Sequence, residues 1–171
     1  KFDPFFYINS NIEIIEMNED FFYKIDLKRL FLYKEIIKKI NGNNKISFKE
    51  KKIMKKFISS IYLNLESANG RVDYLSEIEF LGGKILCKGD SLLTEDYPRL
   101  SFNCKFNIID SNKIYKKFSL PKKFKDNAYV LDISGDFNLL NEKVNFKLIK
   151  VEDVYSASNE DLKFFSKVFE K

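Results

Sequence analysis

The chain contains no histidine and no tryptophan, and its 171 residues include only six glycines, three prolines and two cysteines. Each shortage removes a class of function. Without imidazole the usual Ser-His-Asp and Cys-His arrangements cannot be assembled, and the commonest general base is missing. Cys87 and Cys104 stand outside any CxxC spacing. A zinc site therefore lacks its ordinary ligands, and neither thiol has a histidine to activate it. One disulfide in an oxidising compartment is compatible with this pair, and two separately buried thiols is the plainer reading. Gly82-Gly83-Lys84 lacks the earlier glycine and the following Ser/Thr of a phosphate loop, and no GxGxxG occurs. No apolar run approaches the roughly 18 residues that a membrane-crossing helix needs.

Arginine is scarce too. Arg29, Arg71 and Arg99 are scattered, so the net charge of +5 comes from lysine. Lys, Asn, Ile, Phe and Tyr share AT-rich codons, and a low-GC genome produces this excess without selecting a basic surface. Lysine is also the poorer residue for bidentate recognition of phosphates and bases. Cations and aromatics interleave in "KIYKKFSLPKKFKD" at 113–126. There Ile114, Tyr115 and Phe118 fall at helical spacing, with Ser111 or Asn112 as cap and Pro121 as stop. The stretch reads as a short helix at 111–120 within a solvated connector. Nucleic acid is thereby disfavoured as a partner, with Tyr115–Phe124 the segment that would have to serve as a stacking platform.

Acids are plentiful without forming a clear site. Glu77 and Glu79 share one strand face, and Asp132 and Asp136 flank Ser134-Gly135. Such pairs can hold a hard cation or work as acid and base. The commoner outcome is the wet side of a sheet. The expectation is a protein that is not an enzyme and carries no metal or cofactor.

What the chain has in abundance is apolar and aromatic residues, 44% and 16%. Their rhythm is mostly two. "LSFNCKFNI" alternates without a fault from Leu100 to Ile108. "FISSIYLNLESANG" places Ile61, Leu63 and Leu65 on one face and ends in the turn pair Asn69-Gly70. "YVLDISGDFNLL" and "EKVNFKLIKV" form a hairpin at 128–151 around Asn141-Glu142. Helical spacing is expected at 26–40, with Asp26 as N-cap and Gly42 just past the end, and again at 158–170, where Ser158 caps. The opening "PFFYINSNIEIIEM" is strand-like. The expected fold is α+β and β-rich: a long antiparallel meander over 45–110 and 128–151, with short helices on one face or at the ends. Residues 1–171 read as a single segment of a longer chain, since the first residue is a lysine.

The order of a leucine-rich helix, "LNLESANGRVDY", "GGKILCKGD" and "IYKKFSLPKKFKDNAYVLDISGDFNLLNEKVNFKLIKVED" resembles the C-terminal region of bacterial AsmA-like envelope proteins, over about residues 20–153. The resemblance implies a periplasmic segment of an inner-membrane-anchored parent, with a curved sheet whose apolar face takes part in phospholipid transport and outer-membrane biogenesis. The side chains that would line a lipid groove are Leu100, Phe102, Phe106 and Ile108 from one strand. Leu131, Ile133 and Phe137 would come from the next, and Val144, Phe146 and Leu148 from a third. The expected partners are a phospholipid or other acyl-chain ligand, and envelope proteins. An alternative is an interaction module whose exposed sheet edge pairs with a partner strand.

Overall fold

A strand with one dry side is stable only beside others that share it, so long alternating segments assemble into a sheet. The computed structural model describes residues 6–16, 32, 34–50, 57–92, 98–121 and 128–169, and joins the strands into one ten-stranded sheet that does not close. Strands β1 (Phe6–Tyr7) and β2 (Ser10–Ile14) both pair with β3 (Ile40–Lys49). The sheet then follows chain order through β4 (Ile58–Ala68), β5 (Arg71–Phe80), β6 (Gly83–Leu92) and β7 (Arg99–Ile108). It ends with β8 (Tyr129–Asn138), β9 (Lys143–Val151) and β10 (Tyr155–Ser156). The described helices are α1 (Lys34–Ile37), α2 (Ser111–Lys117) and α3 (Asn159–Val168). This is the β-rich α+β meander that the alternation predicts.

Turn chemistry sets the register. Asn69 and Gly70 both take positive φ, 51° and 81°, the geometry that matches the twist of adjoining antiparallel strands. Between β8 and β9 the Asn138 side-chain oxygen accepts from the amides of Leu140 and Asn141 at 2.9 and 3.2 Å, and Glu142 completes the reversal at φ 56°. The α2 N-cap is Asp110, whose carboxylate accepts from the Asn112 amide; Ser111 and Asn112, the expected caps, lie inside the helix. That helix ends at the cap residue Phe118, ahead of Pro121, and residues 122–127 of the lysine-rich connector lie outside the described residues.

The meander is antiparallel, and only its first edge differs: β1 and β2 run alongside β3 in the same direction. Two expectations are corrected. The helix expected at 26–40 lies largely outside the described residues, and its described part ends at Ile37. Ile40 opens β3, because an apolar residue three after Ile37 suits a strand start as well as a helix face. Gly42 is then inside the strand at φ 148°, where a Cβ would overlap the Ile8 carbonyl oxygen of the parallel edge chain. Lastly, Cys87 and Cys104 are not separate thiols. They sit directly opposite each other on β6 and β7, with Cα atoms 4.0 Å apart, and are joined as a disulfide.

Candidate functional site

Cross-strand pairing places residues in rows that share a face. Leu100 pairs with Phe137, which pairs with Val144. Phe102, Gly135 and Phe146 form the next row. Cys104 and Ile133 follow, then Phe106 with Leu131, then Ile108 with Tyr129. The same face continues across β6 and β5 through Cys87, Ile85, Ile78 and Phe80, and across β4 and β3 through Ile61, Leu63, Ile46 and Phe48. One side of the sheet is therefore apolar from β3 to β9.

Glycines interrupt this face, and an aromatic ring lies over Gly83, Gly89 and Gly135. A Cβ on Gly89 would come 2.9 Å from Tyr74 Cε1, and one on Gly135 would come 2.8 Å from Phe102 Cζ. Covering a strand glycine with the ring of its cross-strand partner, as Tyr74 does for Gly89 and Phe102 for Gly135, restores the packing that the missing side chain forfeits. Tyr74 is further fixed because its O–H donates to the Ser101 carbonyl at 3.0 Å. Partial burial raises its pKa, and the nearby Asp90 charge adds to the rise.

Helices close the two ends of this face. Beside α2, Phe118 packs edge-on against Phe57 at 5.2 Å, and Phe57 packs on Phe80 at 5.3 Å. Phe80 and Ile108 are each only 8% exposed there. At the opposite end Phe146 meets Phe102 at 6.1 Å and, just past α3, Phe169 at 5.6 Å. Of the expected groove residues, Ile108 is thus sealed, while Leu100, Phe102, Phe106, Leu131, Ile133, Phe137, Val144 and Phe146 are half-buried.

Leu148 is displaced from the set. The ladder shifts between Ser134 and Gly135: Gly135 pairs with Phe146, and Ser134 pairs with Leu148. One extra residue in β9 turns Leu148 to the opposite face, 40% exposed, and brings Ile149 and Val151 onto the apolar side. The apolar doublet Leu148-Ile149 is the sequence signal for that change of phase.

The opposite face is polar, with both signs of charge on it. Lys84 pairs with Glu77, Lys147 with Asp136, and Glu79 accepts from the Ser60 hydroxyl at 2.9 Å. Cross-strand partners therefore account for Glu77, Glu79 and Asp136. Asp132 sits opposite Lys105 and Lys150.

At the outer edge of β9, α3 forms one wall of a cleft of about 430 Å³. Phe146, Leu162, Asn145 and Ser166 line it together with Lys163 and Lys167. The Ser166 hydroxyl accepts from the Phe146 amide at 3.2 Å, satisfying an edge N–H that no described strand pairs. A capping box starts the helix: the Asp161 amide donates to the Ser158 hydroxyl, and the Ser158 amide donates to the Asp161 carboxylate at 2.9 Å. The Ser158 amide, then its hydroxyl, then Tyr155 lower the Asp161 pKa below its ordinary value of 3.8. A carboxyl whose folded pKa is depressed adds stability above its unfolded pKa and loses it as pH falls through the folded one. Fraying of α3 is thus expected on acidification below pH 3.8, seen as loss of the Phe165 and Phe169 ring signals by NMR. In Asp161→Asn that acid-dependent step should vanish; its persistence would assign it elsewhere.

No family model, curated protein or solved structure matches the chain.

Proposed function

We propose that the chain is a non-catalytic, periplasmic segment of an AsmA-like envelope protein whose apolar sheet face holds the acyl chains of phospholipid during transport toward the outer membrane. The observation that carries this reading is the half-buried apolar surface across β6 to β9, between the ends occupied by α2 and α3. Each methylene moved from water onto such a surface gains about 0.8 kcal/mol, so partial contact with a lipid tail amounts to several kcal/mol. Few polar groups interrupt the rows, which suits passage of a tail more than selection among tails. The Cys87–Cys104 disulfide supports an oxidising compartment such as the periplasm.

The test is photo-crosslinking in phospholipid vesicles. Phe106→p-benzoylphenylalanine places the probe on the apolar face, and Lys105→p-benzoylphenylalanine places it on the polar one. Lipid adducts are expected at position 106 and not at 105. Equal labelling, or none at either, removes the acyl-binding reading.

A second reading rests on the first edge of the sheet. Phe6, Tyr7 and Ile12 are 63%, 74% and 49% exposed at an edge where, among the described residues, no further strand pairs, a surface suited to strand addition. It predicts that a proline at an outward-facing amide of β2 abolishes partner capture while lipid crosslinking at position 106 persists.

A further inference from the structure

The cleft between α3 and β9 differs from the face it adjoins. Phe146 and Leu162 give it apolar lining, and among the described residues its charged lining is cationic: Lys163 and Lys167 take part, and no described carboxylate does. The two lysines are four residues apart on one helix, so they lie one above the other on the same side, as Leu162 and Ser166 do. Asn145, Asn159 and Ser166 add polar groups to the lining. Its volume, about 430 Å³, falls within the range of small-ligand sites. Phe146 belongs to both places, because its ring also packs on Phe102 in the apolar rows.

We propose that this cleft binds the anionic headgroup of an acyl-chain amphiphile, with Lys163 and Lys167 facing the negative charge and the tail passing over Phe146 onto Phe102. This rests on the acyl-binding reading above and makes it specific: the preferred ligand carries net negative charge, and it enters at the β9 edge. Exposed lysines each contribute modestly in water, so two acting on one anion give a preference of about tenfold over a zwitterion with the same tail.

The 171-residue chain is titrated at low ionic strength with monomeric dodecyl phosphate, dodecylphosphocholine and inorganic phosphate, with binding followed calorimetrically. Dodecyl phosphate is expected to bind about tenfold more tightly than dodecylphosphocholine, and inorganic phosphate alone not measurably. Lys163→Gln/Lys167→Gln should bring the two amphiphiles to equal affinity while leaving dodecylphosphocholine binding and the melting temperature unchanged. Equal affinities for the unaltered chain, a preference that survives the double substitution, or tight binding of free phosphate overturns the headgroup site and leaves the acyl surface standing. Failure of both amphiphiles to bind overturns the acyl surface itself, and this inference with it.

Discussion

Gly89→Ala is expected to lower the melting temperature by about 10 °C. The added methyl would overlap the Ser101 carbonyl oxygen of β7 and press on the Tyr74 ring. A backbone carbonyl within a ladder cannot rotate away, so β6 and β7 must part, or the Tyr74 ring must leave the gap and break its hydrogen bond to Ser101. Overpacking of this kind costs roughly 3 kcal/mol, and each kcal/mol shifts a chain of this size by about 2–4 °C. Calorimetric melting checks the value. A shift of under about 2 °C would mean that the strands separate at no cost and that the rows described above are loosely held.

Removing the cross-strand disulfide is expected to have an effect of the same size. Cys87 and Cys104 are separated by 17 residues, and a bridge closing a loop of this length stabilises by about 3 kcal/mol, mainly by restricting the unfolded chain. Cys87→Ala/Cys104→Ala should therefore unfold at distinctly lower denaturant concentration. Adding reductant to the unaltered protein should reproduce that midpoint, and adding it to the double variant should change nothing. If reductant leaves the unaltered protein unmoved, the pair is not bridged in solution, and the support it lends to an oxidising compartment is lost.

These two predictions concern features of very different visibility in the sequence. Faultless alternation from Leu100 to Ile108 can only be a half-dry strand, and Asn69-Gly70 can hardly be other than a tight hairpin turn. Local rules suffice in both cases. The disulfide depends on register between β6 and β7, a non-local quantity that neither cysteine's neighbours report. The parallel pairing of β1 and β2 with β3 is non-local for the same reason. Leu148 is an intermediate case: period-two counting from Val144 puts it with Phe146, yet the doublet Leu148-Ile149 already announces a phase change that pairing to Ser134 makes explicit. Ile40 and Gly42 resemble a helix terminus until the parallel edge chain at Ile8 supplies another reason for a glycine there. The cleft at α3 was least visible, because Lys163 and Lys167 on an exposed helix face look like ordinary solvated charge until Phe146 and Ser166 are seen beside them.

The most direct measurement is methyl NMR of the chain in the presence of a fatty acid carrying a nitroxide on its tail. Paramagnetic broadening is expected for Leu100, Leu131 and Ile133, whose methyls share the apolar face, and for Ile149, which the β9 bulge turns onto it. Leu75, Leu86 and Leu148 lie on the polar face and should remain sharp. Broadening spread evenly over both groups, or absent from the first, would contradict an acyl-binding sheet face and leave the apolar rows as packing alone.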